Sequence, residues 1–302
     1  MARRLLAGRG LVEAVTYSFL GGAEAALFGG GGESLKLINP ISADLDVMRP
    51  SLLPNLIAAT ARNAARGTAD ARLFEIGPIF SGVKPDEQAM AAAGIRSGSS
   101  AARNWAEKPR PVDVFDAKGD VLAVLGGLGL AVEKAEIAPE APDWYHPGHS
   151  GVVRLGPKTV LAYFGEIHPR VLKDMDVESP MAGFEIIFDN LPKLKKKKSR
   201  ARPHLELPQF HAVERDFAFI VDSGVTAAQV INAAEKADKK LIAQVSLFDV
   251  FEGGDLGEGK KSLAVNVVLQ PVEKTLTDAE IDAIAEKVVA NVTKATGGVL
   301  RG

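Results

Sequence analysis

The sequence predicts an α+β protein of two domains, and three observations carry that reading. A stretch dense in lysine and arginine interrupts the 302-residue chain about two-thirds of the way along. The segment after it reads strand, helix, strand, strand, helix, strand, with capping signals at its helices. The segment before it has strands that follow one another without regular helical crossovers, as an antiparallel sheet requires. With 46% hydrophobic and 25% charged residues, the chain has enough apolar surface for two ordinary cores. Cysteine is absent, which excludes disulfides and thiolate metal sites and fits a reducing cytoplasm. The formal charge of −2 gives no global pull toward nucleic acid. No apolar stretch nears the length of a membrane span, and no signal-peptide run follows "MARRLLAGRG". The expectation is a cytoplasmic protein with no membrane contact.

The first domain is expected over 1–192. "VEAVTYSFL" reads as a strand, "GGAEAALFG" as a short helix and "SLKLINP" as another strand. "RPSLLPNLIAATARNAARG" is a helix with Leu53, Leu56, Ile57, Thr60 and Asn63 along one stripe. "ARLFEIGPIFSG" and "QAMAAAGIRSG" are neighbouring antiparallel strands, and "VDVFDAKGDVLAVLGGLGL" leads into a helix. "VVRLG", "TVLAYFGEIHP" and "AGFEIIFDNLP" close the domain as strands. Chemistry is sparse here. "WYHPGHS" and "GEIHP" offer His146, His149 and His168, but H-x-x-H alone is a weak zinc signal without a fourth ligand. The prolines after His146 and His168 point to turn and helix-start positions instead, and no metal site is expected. "GGAEAALFGGGGES" lacks the Lys-Ser/Thr ending of a phosphate-binding loop.

Between Leu191 and Arg215 there are eight Lys/Arg and only two Glu. Such a run builds no core, so 193–202 is expected to be a linker. It is either a solvated strap or a source of phosphate contacts.

The second domain is expected over 203–302. "VERDFAFIVD" is a strand with Phe217, Phe219 and Val221 on one parity. "TAAQVINAAEKADKKL" opens a helix on a threonine cap, and "SLFDVFEGGDLGEGKKSLAVNVVLQP" is a hairpin. "TDAEIDAIAEKVVANVTKATGG" is a helix with the capping-box pair Thr277 and Glu280, an apolar stripe through Ile281, Ile284, Val288 and Val292, and a glycine stop. "GVLRG" adds a last strand. The order βαββαβ is that of a ferredoxin-like sandwich, with helices on one face of a four-stranded sheet. Parity then gives the open face. Phe217, Phe219, Val221 and Leu263, Val265, Val267, Leu269 point to the helices, leaving Ala218 and Ser262 outward. In the hairpin's first strand Leu247, Asp249 and Phe251 share a parity. A lone buried carboxylate costs roughly several kcal/mol, so Asp249 belongs outside and takes Phe251 with it. A small floor, an acceptor and an exposed ring make a base-reading surface in outline, since a carboxylate accepts from guanine's Watson–Crick edge. The same features also suit an ordinary solvated sheet face. From Asp216 onward acidic residues outnumber basic ones 13 to 9, which argues against nonspecific RNA binding. "KKSLAVNVVLQ" lacks the aromatic signature of an RNA-recognition motif.

Taken in order, "EAVTYSF", "LINPISADLDVMRPSLLPNLI", "RLFEIGPIF", "DVFDAKGDV", "WYHPGHS", "FGEIHP", "VERDFAFIVD", "LFDVFEG" and "GEGKKSLAVNVVLQP" resemble the C-terminal part of the bacterial phenylalanyl-tRNA synthetase β subunit over nearly the whole chain. The resemblance implies a class II synthetase-like core over 1–192 and a ferredoxin-fold anticodon-binding domain over 203–302. It implies a hydrolytic editing domain and RNA-binding modules ahead of Met1. Class II catalysis needs an arginine on the α-phosphate of ATP in an R-x-E pattern and a second arginine in a later glycine-rich strand. Arg72 and Glu75 in "RLFEIG" have the wrong spacing, and "AGFEIIFDNL" has no arginine. No catalytic residue is therefore expected, and no cofactor on this chain. ATP and Mg would belong to the catalytic α subunit, in an (αβ)2 assembly acting on tRNA(Phe). In the family "INPISADLDVMRPSLLPNLI" belongs to the interface region. Its anticodon-contacting positions match Ala218, Asp249, Phe251, Ser262 and Arg301. The family often has tyrosine where this chain has Phe251, so stacking survives and a hydroxyl contact is lost. The alternative is a stand-alone RNA-binding or scaffolding protein that uses the same two domains.

Overall fold

The computed structural model describes residues 1–192, 204 and 207–301, in two compact units, 1–196 and 197–302. The linker expected at 193–202 lies outside the described residues.

In the first unit the strands are β1 (Val12–Glu13), β2 (Phe19–Leu20), β3 (Val47–Met48), β4 (Arg72–Phe80), β5 (Gln88–Ser97), β6 (Glu136–Ala138), β7 (Tyr145–Leu155), β8 (Thr159–Ile167) and β9 (Met181–Ile187). The helices are α1 (Ala2–Gly8), α2 (Gly22–Leu27), α3 (Leu53–Ala64), α4 (Val114–Gly127) and α5 (Pro169–Asp174). Seven strands form one sheet in the order β1-β4-β5-β9-β8-β7-β6, antiparallel except for the short β1–β4 pair. Alternate side chains feed two cores. Ala92, Phe164, Ala182 and Phe184 join α1 and α4 on one face, while Ala91, Ala93, Ile95 and Ile167 join α3 and α5 on the other. β9 lies between them, buried on both faces, so it reads as a continuous apolar run. Two glycines hold strands at close range. A Cβ on Gly94 would collide with the Phe184 ring, and one on Gly165 would come within 2.8 Å of the His149 carbonyl oxygen.

Two expected strands are absent. "VEAVTYSFL" is not one strand but β1 and β2 in different sheets. The chain between them is diverted by side chains: Thr16 Oγ1 donates to Glu75, and the Tyr17 carbonyl accepts from Arg49 and Asn55. "SLKLINP" forms a 3-10 turn over Glu33–Leu35 and a single bridge, Lys36 to Val47. The α3 stripe is buried at Leu53, Leu56, Ile57 and Thr60 but ends before Asn63, whose amide donates to the Ala59 carbonyl on the exposed side.

The second unit is β10 (Val213–Asp222), α6 (Ala227–Glu235), β11 (Ile242–Glu252), β12 (Lys260–Leu269), α7 (Asp278–Thr296) and β13 (Val299–Leu300), with sheet order β11-β12-β10-β13. That is the ferredoxin-like arrangement, with Phe217, Phe219, Val221, Leu263, Val265 and Val267 packed against Val230, Ile281, Ile284, Val288 and Val292. Thr226 and Thr277 cap α6 and α7 through reciprocal bonds with Gln229 and Glu280. Lys274 and the Thr277 cap together hold the Glu280 carboxyl down at about 2. Gly297 ends α7 at φ 70°, a conformation that suits glycine.

Candidate nucleic-acid interface

Register across the second sheet sorts its open face into rows, because directly opposed residues of antiparallel strands project to the same side. In one row Asp249 of β11 faces Ala264 of β12, which faces Ala218 of β10. The amide of Arg301 then donates to the Ala218 carbonyl at 2.8 Å, so Arg301 completes the row. A carboxylate and a guanidinium thus bracket a floor of two alanines. In the next row Phe251 faces Ser262, and Ser262 faces Ile220. All five residues expected at the site therefore lie in two adjacent rows. The Arg301 guanidinium carbon lies 5.8 Å from the centroid of the Phe251 ring. These two start on opposite edges, three strand spacings of about 4.8 Å apart, so the arginine lies along the floor rather than pointing into solvent.

Two details differ from the parity argument. Leu247 does not accompany Asp249 and Phe251: it faces Val265 and packs on the helix-side core. A register shift between Leu247 and Asp249 leaves Phe248 as the unmatched residue of a β-bulge. The bulge turns Ser246 and Asp249 to the same face and sends Phe248 out, 58% exposed. Ser262 is on the expected face but only 3% exposed, beside Phe251 at 44%. It is floor beneath its neighbours rather than an open contact. Ala264 and Ile220 also lie in these rows, on the outward parity that the sequence assigns to them with Ser262 and Ala218.

The far end of the face is acidic. Asn266 donates to Asp216 at 2.8 Å and to Glu214 at 3.3 Å, and Asp216 faces Asn266 in the row beyond Ala218. Phosphate is disfavoured at that end. The face therefore suits one or two bases near Phe251 and Arg301 more than a strand laid along its length.

In the first unit Arg72, Glu75 and Glu185 are all engaged in structure. Arg72 donates to the carbonyls of Ser100 (2.9 Å) and Ser99 (3.3 Å). Glu75 is buried and paired with Arg49 at 2.8 Å. Glu185, on β9, is buried among donors from Ser51 (2.5 Å), Trp144 (3.2 Å) and Tyr145 (3.4 Å). Burial pushes its carboxyl pKa up, against the lowering effect of those donors. A raised native pKa means stability held below the unfolded value and lost as pH climbs through the native one. Glu185→Gln is therefore expected to gain on the parent chain in urea unfolding as pH rises from about 4 to 8. A stability difference that stays flat with pH would refute the burial argument.

His146 stacks on His149 at 4.5 Å and on His168 at 6.1 Å between ring centroids. His168 caps α5 by accepting from the Arg170 amide, His146 accepts from the Gly148 amide, and His149 pairs with Glu166 at 2.8 Å. Stacked rings direct their nitrogens side by side rather than to one point, and among the described residues no group is arranged to hold a metal ion. Nor, among the described residues, is any helix long and apolar enough to cross a membrane.

Comparison with known proteins agrees with both units. Residues 1–188 match the family described as phenylalanyl tRNA synthetase beta chain CLM domain, and residues 208–301 match the ferredoxin-fold anticodon binding domain. The phenylalanine–tRNA ligase beta subunit of Mesorhizobium japonicum is 53% identical over all of this chain and 38% of its own length. That of Paramagnetospirillum magneticum is 53% identical over 99% of the chain and 38% of its own length, and that of Brucella suis 52% over 100% and 38%. The chain thus spans well under half the length of these relatives. Matched over its whole length, the chain belongs to the phenylalanyl-tRNA synthetase β-chain family and ends in a ferredoxin-fold anticodon-binding domain.

Proposed function

We propose that this chain supplies the anticodon-reading surface and a non-catalytic class II-like domain to a cytoplasmic phenylalanine–tRNA ligase. In this reading the two functional parts are 1–192 and 203–302, joined by the basic segment between them. The catalytic α subunit, in an (αβ)2 assembly, carries ATP and Mg and activates phenylalanine; this chain packs on it and holds tRNA(Phe). The observation that carries the reading is the row Asp249–Ala264–Ala218–Arg301 beside Phe251. A guanine laid on the alanines meets a carboxylate at its donor edge, a ring for stacking, and a guanidinium for a phosphate or a second stack. Ser262 keeps the floor low enough for the base to sit.

The α-facing surface is better sought in the loops than in α3, whose apolar stripe is spent on its own core. Ile38 (95% exposed), Ile41 and Val15 project from the segments preceding α3, which also carry the stacked Tyr17–Phe19 pair at 5.2 Å. Exposed apolar residues of that kind are what a subunit interface buries.

The deciding experiment places Asp249→Ala in the full-length β subunit and compares tRNA charging with amino-acid activation. A bidentate base contact is worth roughly 1–3 kcal/mol, so kcat/KM for tRNA is expected to fall about tenfold to a hundredfold while activation is unchanged. If charging is also unchanged, the anticodon is read elsewhere and the reading fails.

A further inference from the structure

The loop between β5 and α4 carries the most exposed large apolar side chain of the protein's described residues, Trp105, at 98%. The loop is a built one. At its base Ser99 bridges Pro111, the Ser100 amide donates to the Arg110 carbonyl at 2.8 Å, and Arg72 grips the Ser99 and Ser100 carbonyls. At its tip the Asn104 carboxamide oxygen accepts from the amides of Ala106 and Glu107, each at 2.9 Å, fixing the turn that presents the indole. Arg110 is tied down by Asp116 through two bonds of 2.8 and 3.0 Å. Arg103 and Lys108, two residues before and three after Trp105, are exposed and form no ion pair among the described residues. The neighbours Ala102, Ala106 and Pro109 are small, so the tip offers no broad apolar patch of the sort a protein interface core uses.

We infer that this loop is a second RNA contact, in which an unpaired base stacks on Trp105 while Arg103 and Lys108 meet the flanking phosphates. The chemistry is that of single-strand binding: a π-face accepts any base, and free cations follow the backbone. It rests on the proposed role of the chain in holding tRNA, but uses a surface distinct from the open face of the second sheet. The Asn104 cap orders the backbone of the turn before any base arrives, so the ordering cost of stacking falls on the indole rather than on the loop.

The chain provides its own probe. It has two tryptophans, and the other, Trp144, is half-buried, packs against Phe28 and donates to Glu185. Titration with a short unstructured single-stranded RNA is expected to quench the Trp105 fluorescence saturably, and Trp105→Ala is expected to lose that component. Trp105→Ala should weaken RNA affinity roughly fivefold to a hundredfold, and Trp105→Phe much less. Each of Arg103→Ala and Lys108→Ala should reduce the slope of log affinity against log salt by about 0.7. Asp249→Ala should leave the quench intact, so a failure of anticodon reading and a failure of this contact are separately visible. Absence of quenching, or an affinity that Trp105→Ala does not alter, overturns the inference. So does a Trp105→Ala chain that binds RNA normally but no longer associates with the catalytic α subunit, which would make the loop a protein-docking element.

Discussion

Asp120→Ala is expected to cost the first unit about 3–5 kcal/mol, the loss typical of removing one partner from a buried ion pair. Asp120 is fully buried on α4. Its carboxylate accepts from Arg96 Nε at 2.6 Å and Arg96 Nη2 at 2.9 Å, and it also pairs with Arg9. Arg96 is itself buried, on β5, and its guanidinium reaches the Arg9 carbonyl at 3.1 Å. Without the carboxylate, Arg96 keeps its charge in a place where water cannot replace the lost acceptor. A domain's whole stability is about 5–15 kcal/mol, so the variant should sit near its unfolding midpoint in mild urea. The comparison is Asp222→Ala, which removes the exposed pair with Lys260 at 3.2 Å and is expected to cost under about 1 kcal/mol. If Asp120→Ala lowers the urea midpoint of the first unit no further below the parent than Asp222→Ala lowers that of the second, the buried cluster is not holding α4 to the sheet.

The second unit was legible in the sequence because its information is local. Thr226 with Gln229 and Thr277 with Glu280 announce two helix starts within four residues each, and the α7 stripe from Ile281 to Val292 repeats at the helical period. The bulge at Phe248 escaped a strict two-residue alternation, yet a signal was present. Ser246 and Asp249 are both polar and three apart, and only an inserted residue puts them on one face while Leu247 and Val250 share the other. The first unit was less legible because its exceptions are nonlocal. The strand expected at "VEAVTYSFL" is broken by Arg49 and Glu75, residues far along the chain whose side chains capture Thr16 and the Tyr17 carbonyl. Periodicity carries no trace of such a partner. At the site, parity together with the cost of burying a carboxylate selected Ala218, Asp249, Phe251 and Ser262. Arg301 came from the resemblance, since a residue beyond a two-residue strand has no periodicity to read.

Arg49→Met should cost the first unit about 3–5 kcal/mol, for a reason that also bears on what the unit can do. Arg49 is 1% exposed and donates to Glu75 (2.8 Å), the Pro78 carbonyl (2.9 Å), Thr16 Oγ1 (3.1 Å) and the Tyr17 carbonyl (3.2 Å). Alone, the substitution strands Glu75 as an uncompensated buried carboxylate. Adding Glu75→Leu removes that charge, so the double variant should recover part of the loss, measured as a positive coupling in a double-mutant cycle of urea unfolding. Recovery should be incomplete, because the Pro78 carbonyl loses its Arg49 donor, at about 1–3 kcal/mol for a buried group left unpaired, while the Tyr17 carbonyl keeps Asn55. The same double variant separates structure from chemistry. On the proposed function, if Glu75 serves only to anchor Arg49 and the Val15–Tyr17 segment, the double variant, placed in the full-length β subunit and assembled with the proposed α partner, should leave phenylalanine activation at the parent rate. Activation lost in a double variant that is folded and assembled would instead make Glu75 a participant in the proposed reaction.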